Sequence, residues 1–321
     1  MTTTKMSTKV KTKTLKTTLN NQIPKLNQNL TRGATSIIAS AFVFYMATFF
    51  VRMGFNHQET PVIIYVSARF ILGYFLLLAW FKLRKVDIHS VKINSKLWLW
   101  QRAIWNLVAV FFFYLGVTYG TVTGANILNM TYPAFVAFLS MIFLGEAMKL
   151  QSWFGLTFSL IGAFFISYNG LYYIPQTGDL FGLLSGITAG FAITALRKIR
   201  LTDSVDIALF YVFRLGAWLT GIPAIFILWK NPQYITQTTT LFILLSALCG
   251  ILGQVLLTYG YKFVRAVEGS IYSSSRLLFA LAIGYFFWQK ELYIQSFIGA
   301  GLIFGANVLL SLSGKKVKSS S

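Results

Sequence analysis

Long apolar stretches separated by short polar segments run through most of this chain. Ten of them are long enough to cross a bilayer, which takes roughly twenty apolar residues in a helix. We place them at 34–52, 61–81, 97–119, 122–144, 151–169, 179–197, 206–229, 239–260, 267–288 and 294–312. The pattern therefore predicts an all-α integral membrane protein with ten transmembrane helices.

The polar landmarks in these stretches occur twice, at a nearly constant separation. Arg69 and Arg214 are 145 positions apart, and so are Tyr114 and Tyr259, Gly124 and Gly269, and Glu146 and Glu291. Each repeat holds five spans, and because five is odd, the second repeat must enter the membrane in the opposite orientation. We therefore predict a 5+5 inverted repeat with five-helix units over 34–169 and 178–312, and a substrate site near the midplane between them.

The charge distribution sets the orientation of the spans. If the N-terminus is cytoplasmic, 21 of the 28 Lys and Arg residues fall on the cytoplasmic side and three on the opposite side. Because basic loops stay in the cytoplasm, we predict a multi-pass protein of the cell (inner) membrane with both termini cytoplasmic. Residues 1–33, with seven Lys or Arg and no acid, are predicted to be a disordered basic tail, and 313–321 a short basic tail.

Composition supports the membrane assignment and narrows the function. Charged residues make up 11% of the chain, whereas a soluble domain carries roughly a quarter. The net charge of +20 is spread over loops and tails, so we predict no nucleic-acid partner. The sequence has no ATP-binding loop motif and no cluster of acids or histidines within its spans. We therefore expect neither a pump nor an enzyme, and no metal or cofactor. Membrane lipids are expected partners, and a homodimer is left open.

Polar residues inside the spans mark a candidate substrate site, because a charge in the bilayer needs a partner or water. In span three, Arg102 is followed at i+3 and i+4 by Trp105 and Asn106. This spacing puts a cation, a ring and an amide on one helical face. Arg102 also lies near the cytoplasmic end of the span, from which it could instead reach the interface.

Spans four and nine carry the other candidate binding residues, at steps of three or four positions along one helical face. These residues are Asn126, Asn129, Tyr132, Glu268, Tyr272, Ser275 and Arg276. Because the two spans are repeat partners, their polar faces should meet across the pseudo-twofold axis. They would form either a cavity wall or a set of interhelical hydrogen bonds.

A second group of intramembrane residues is predicted to be structural. It consists of Arg69, Arg214, Pro133, Glu146 and Glu291. The two arginines are repeat partners, so one shared architectural role explains both. The two glutamates follow spans four and nine, where a carboxylate suits the N-terminus of the next helix. We therefore expect caps at tight helix junctions.

The segments Pro133–Glu146 (PAFVAFLSMIFLGE) and Arg276–Glu291 (RLLFALAIGYFFWQKE), with Arg69-Phe70 in span two, carry a family resemblance. Over residues 34–312 the chain resembles the drug/metabolite transporter superfamily, in its ten-helix EamA family of permeases. The resemblance implies secondary active transport. The Arg-Leu-Leu-Phe start of the second segment is similar to members that carry S-adenosylmethionine or riboflavin-like metabolites.

Residue chemistry and resemblance together predict a transporter for a small polar or amphipathic metabolite, working by alternating access. Arginine matches a carboxylate or phosphate, aromatic faces stack on planar groups, and Glu268 could pair with an amine or sulfonium. S-adenosylmethionine, nucleotide-like and amino-acid-like metabolites fit this description. A multidrug or organic-cation exporter and a lipid flippase or membrane scaffold are the alternatives.

Overall fold

The computed structural model describes residues 3–85, 93–120, 122–167, 177–288 and 294–316, and these residues form helices without a β-strand. The helices are α1 Thr3–His57, α2 Val62–Leu83, α3 Lys96–Tyr119, α4 Val122–Asn129, α5 Tyr132–Leu144, α6 Leu150–Ser167, α7 Thr177–Arg200, α8 Val205–Lys230, α9 Gln237–Gly260, α10 Ala266–Ser273, α11 Arg276–Trp288 and α12 Ile294–Lys316. A short 3₁₀ turn, Pro232–Tyr234, joins α8 to α9.

Eight helical segments of the described chain are long and apolar enough to cross a membrane. Two shorter apolar helices, Leu150–Phe165 and Phe297–Ala306, occupy the positions predicted for spans five and ten. In a bilayer, a helix is stable because every backbone polar group finds its partner within the segment. The prediction of an all-α integral membrane protein is confirmed.

Helix α1 differs from the predicted disordered tail, because it begins at Thr3 rather than near residue 34. Only its Gln28–His57 part is apolar enough to span a membrane. A helix satisfies its backbone hydrogen bonds internally, so it can continue beyond the bilayer without burying a core. The polar composition of 1–33 excluded a packed core, but it did not exclude a helix.

Helix packing follows the twofold relation that an inverted repeat requires. Helix α3 packs on α7, and α1 packs on α9. Exchanging the two halves converts one of these pairs into the other. The remaining close pairs, α2 with α8 and α6 with α12, each map onto themselves. The two halves therefore meet along their whole length, and the predicted 5+5 arrangement is confirmed.

Spans four and nine are not the single helices that hydropathy predicted. Span four is broken into α4 and α5 between Asn129 and Tyr132, and span nine into α10 and α11 between Ser273 and Arg276. At each break the amides turn to i−3 carbonyls, as in Thr131 N to Leu128 O at 3.2 Å. Hydropathy averages over these short turns, so an apolar window does not show them. The breaks lie at equivalent places in the two halves.

Two glycine positions bring backbones together or reverse the chain. A Cβ at Gly178 would lie 2.4 Å from the backbone nitrogen of Gly120, so the start of α7 approaches the end of α3 only because both residues lack side chains. Gly145 ends α5 with a φ of 63°, a left-handed conformation that glycine adopts without strain. By contrast, Gly301 and Gly305, which share one face of α12, have no neighbour within 4 Å of an added Cβ.

Candidate functional site

A cavity of about 90 Å³ lies between the two halves of the bundle. At about 10–15 Å³ per water, this is room for roughly six to nine waters or for a small polar group. Its wall combines helices of both repeats. The lining residues are Phe44, Ala47, Thr48, Arg69, Arg102, Asn106, Ala109, Val110, Phe113, Tyr114, Asn129, Tyr132, Ser185, Ala189, Ala192, Ile193, Gln254, Leu257, Ser273 and Arg276.

Three arginines give this cavity its charge. Arg69, Arg102 and Arg276 are only 3%, 1% and 9% exposed. No Asp or Glu stands among the described residues that line the cavity. Because a buried cation without a carboxylate is costly, the wall favours anionic groups and disfavours cations.

Two of the arginines contact the oxygen atoms of neutral side-chain amides. Arg69 Nη2 donates to Gln254 Oε1 at 3.1 Å, and Arg276 Nη1 makes a long 3.4 Å contact to Asn129 Oδ1. Asn129 Nδ2 in turn donates to Ser185 Oγ at 2.7 Å. An amide oxygen orients a guanidinium but carries no formal negative charge, so neither arginine gains a counter-charge from this contact.

Arg102 is placed differently. Its Nε and Nη2 atoms are buried and have no hydrogen-bond partner, and the Nδ2 of Asn106, one turn further along α3, has none either. Both residues line the cavity. The alternative that Arg102 reaches the membrane interface is therefore wrong, because its side chain turns inward.

Aromatic rings form the second part of the wall. The guanidinium carbons of Arg69 and Arg276 lie 5.2 and 5.1 Å from the centroid of the Phe44 ring. Arg276 also lies 5.7 Å from the Phe113 ring. Ring faces attract cations without supplying a counter-charge. The rings therefore hold the arginines in place while leaving their charge for a ligand.

The breaks in spans four and nine decide which polar residues reach the cavity. Asn129 and Tyr132 flank the first break, Ser273 and Arg276 flank the second, and all four line the cavity. Tyr132 also joins the halves, since its hydroxyl donates to the Ser270 carbonyl at 3.4 Å. A break of this kind directs neighbouring side chains inward at the middle of the span.

Half of the predicted binding residues line the cavity. They are Arg102, Asn106, Asn129, Tyr132 and Arg276. The other predicted residues do not line it, and they are Trp105, Asn126, Glu268, Tyr272 and Ser275. Four of these five residues lie in the broken spans four and nine, where the prediction assumed continuous helices, whereas Trp105 lies on the unbroken α3.

The contacts of these five residues show where they lie instead. Trp105 stacks on Phe191 with ring centroids 4.9 Å apart. Asn126 donates to the carbonyl of Val122 within α4. Glu268 is half-buried in the first turn of α10, and Tyr272 and Ser275 are buried near the second break.

The residues predicted to be structural divide into different environments. Arg69 lines the cavity, whereas its repeat partner Arg214 is exposed on α8, 5.7 Å from the Phe210 ring. The two repeat partners therefore lie in different environments, and their predicted shared role remains a prediction. A side chain on a helix points toward the N-terminus, and Phe210 lies one turn in that direction, so Arg214 can extend along α8 toward an interface.

Pro133 occupies the first turn of α5, where its missing N–H costs no hydrogen bond. Glu146 accepts from the Ala266 amide at 3.2 Å, and Arg197 Nε donates to it at 3.2 Å. It therefore caps α10 of the other half rather than the next helix, α6. Glu291 lies outside the described residues.

Several polar lining residues were not predicted from the sequence, among them Gln254, Tyr114 and Ser185. The prediction drew its binding residues from spans three, four and nine, whereas Ser185 lies in span six and Gln254 in span eight. Gln254 had a usable signal, because an amide deep in span eight needs a partner. Among the described residues, no three His, Cys, Asp or Glu side chains come together as metal ligands.

The sequence pattern of the EamA-like transporter family matches residues 31–168 and again 176–312. A Helicobacter pylori protein named as an uncharacterized transporter is 25% identical over 87% of this chain and 94% of its own length. The pseudopaline exporter CntI of Pseudomonas aeruginosa is 28% identical over 65% of this chain and 72% of its own.

A crystal structure with 15% identity matches the fold with a TM-score of 0.68, covering 89% of this chain and 99% of that one. At this identity, the match bears on the fold alone. The family pattern occurs twice, once in each five-helix half, and covers most of the chain. This protein belongs to the EamA-like transporter family.

Proposed function

We propose that this protein is a secondary active transporter that moves a small polar or amphipathic metabolite by alternating access. The observation that carries the proposal is the cavity between the two halves, with three buried arginines and no acid among its described lining residues. Such a wall is costly to keep in a membrane, and binding a charged substrate would offset that cost.

The architecture supports the mechanism. Inverted repeats with broken helices at the midplane allow one half to rock against the other around a fixed site. The asymmetry of Lys and Arg between the loops supports cytoplasmic termini and the cell membrane as the location. A reporter fused after Ser321 should therefore remain in the cytoplasm, and an exported fusion would contradict this orientation.

The position of Glu268 narrows the substrate class. We expected this carboxylate to pair with an amine or sulfonium, but it does not line the cavity. Among the expected substrates, we therefore rank anionic nucleotide-like and zwitterionic amino-acid-like metabolites above S-adenosylmethionine. The same positive wall disfavours an organic-cation exporter. The name of the Pseudomonas aeruginosa relative is that of an exporter, and we propose export as the direction.

The test is flux in proteoliposomes that contain the purified protein and a panel of labelled nucleotides, amino acids and organic cations. We expect saturable transport of an anionic or zwitterionic member, reduced at least tenfold in Arg276→Ala at equal protein content. Transport confined to organic cations would favour the multidrug alternative. A complete absence of flux would favour a lipid flippase or scaffold.

A further inference from the structure

The three cavity arginines are not equivalent in their free hydrogen-bonding groups. Arg69 and Arg276 each donate through a terminal nitrogen to an amide oxygen, and each leaves a single buried donor, Nε, without a partner. Arg102 leaves two, Nε and Nη2. The residue with the least exposure of the three, at 1%, is therefore the one with the most unused donors.

The two unused atoms of Arg102 form one edge of the guanidinium plane. The Nε–H and Nη2–H bonds of arginine point the same way, about as far apart as the two oxygens of a carboxylate or of a phosphate. This edge binds such a group with two parallel hydrogen bonds.

A second donor lies on the same face. Asn106 is four residues after Arg102 in α3, so their side chains are neighbours on the helix. Its Nδ2 is buried and unpartnered, and both residues line the cavity. Three unpartnered donors thus belong to two neighbouring residues of the wall, with no carboxylate among the described lining residues to occupy them.

We infer that Arg102 and Asn106 form an anion subsite, which binds the carboxylate or phosphate group of the transported metabolite. This inference rests on the transport function proposed above and adds the group by which the substrate is held. The cavity of about 90 Å³ has room for a carboxylate or phosphate group. The Phe113 ring, two turns beyond Asn106 on α3, borders the same space.

The test compares matched probes on the purified protein. Nicotinate and nicotinamide share a ring, but only nicotinate carries a carboxylate. Inorganic phosphate tests whether the subsite also binds a phosphate group. Ligand-dependent thermal stabilisation gives an apparent affinity for each. We expect nicotinate or phosphate to stabilise the protein and nicotinamide to have no effect at the same concentrations.

Two variants test whether Arg102 and Asn106 bind the anion that stabilises the protein. Arg102→Lys keeps the charge and loses the paired donors, so we expect at least tenfold weaker anion binding. Asn106→Asp supplies a carboxylate beside Arg102, so it should raise the melting temperature without ligand and abolish anion binding. Arg214→Lys, the same substitution on the exposed surface of α8, should bind like the wild type.

The outcomes separate this inference from the transport function. Equal binding of nicotinate and nicotinamide, no binding of either anion, or full anion binding by Arg102→Lys would each overturn the subsite. If the flux assay detects saturable transport while neither anion binds, the transport function stands and the subsite falls. If neither flux nor anion binding occurs, both fall.

Discussion

Arg197 and Arg265 share the carboxylate of Glu146, with nitrogen–oxygen distances of 3.2 and 3.9 Å, whereas Arg102 and Arg276 lie in a cavity without a described acid. Arg197 lies in the last turn of α7 and Arg265 directly precedes α10, whereas Arg102 and Arg276 line the cavity between the halves. One residue type thus occurs in opposite electrostatic environments within one protein.

The paired cluster connects the two halves of the bundle. Glu146 follows α5 of the first half, and its carboxylate accepts the amide of Ala266 at the start of α10 in the second. Arg197 also donates to the Tyr261 carbonyl at 3.1 Å. Each charge in the cluster therefore has a partner of opposite sign or a hydrogen bond, which is the arrangement that stabilises a fold.

The cavity arginines lack such compensation, and a fold optimised for stability alone would not retain them. Proteins commonly accept local instability where binding requires it. The comparison teaches that burial and residue type do not identify a functional charge by themselves. The absence of a carboxylate partner, together with unused donors facing a cavity, makes the difference.

The largest effect on stability is expected from breaking the paired cluster. Glu146→Ala leaves two largely buried arginines without their carboxylate, which should lower the free energy of unfolding by about 3 kcal/mol. For a chain of this size, the melting temperature in detergent should fall by roughly 6 °C or more. Glu59→Ala, which removes an exposed carboxylate, is the control. An unchanged melting temperature in Glu146→Ala would mean that the cluster does not hold the halves together.

A smaller effect on stability than that of Glu146→Ala, and of opposite sign, is expected when a cavity arginine is replaced. Arg276→Met removes a buried charge that has no carboxylate partner, at the cost of the long contact to Asn129 and the contacts to the Phe44 and Phe113 rings, so stability should rise by about 1 kcal/mol. Arg197→Met, the same substitution in the paired cluster, should instead destabilise the protein by roughly 2 kcal/mol. Thermal unfolding of both variants measures whether their stabilities change in opposite directions. Equal destabilisation would show that the cavity arginine also has a structural role.

Much of the fold follows from the sequence, because hydropathy and span length respond directly to the bilayer. Helix α2, Val62–Leu83, begins and ends within two residues of its predicted span. The breaks in spans four and nine could not be read in this way. They depend on short turns at Met130 and Thr131 and at Ser274 and Ser275, which are too few residues to lower the mean hydropathy of a span below that of a continuous one.

Helical spacing predicted the cavity residues only in part, because Trp105 shares the unbroken α3 with Arg102 but stacks on Phe191 instead of lining the cavity. Arg102 and Asn106 lie on an unbroken helix, so their spacing placed them on one face, as the structure has them. Glu268 and Tyr272 precede a break, and their spacing did not place them in the cavity. Gln254 contributes because α9 packs beside α2, a tertiary relation that no local pattern contains.

The smallest effect on stability is expected for Arg214, the repeat partner of the cavity residue Arg69. Arg69 is buried in the cavity, while Arg214 at the equivalent sequence position is exposed beside Phe210. Arg214→Ala should therefore change the free energy of unfolding by less than about 0.5 kcal/mol and leave flux unaltered. Arg69→Ala should reduce flux at least tenfold, because it removes a cavity charge and leaves Gln254 Oε1 without its donor. Flux and unfolding measured on the two variants side by side test this difference. Equal loss of flux in both would support the symmetric role predicted from the sequence, whereas a difference confined to Arg69 would show that the second half has lost its counterpart of this charge.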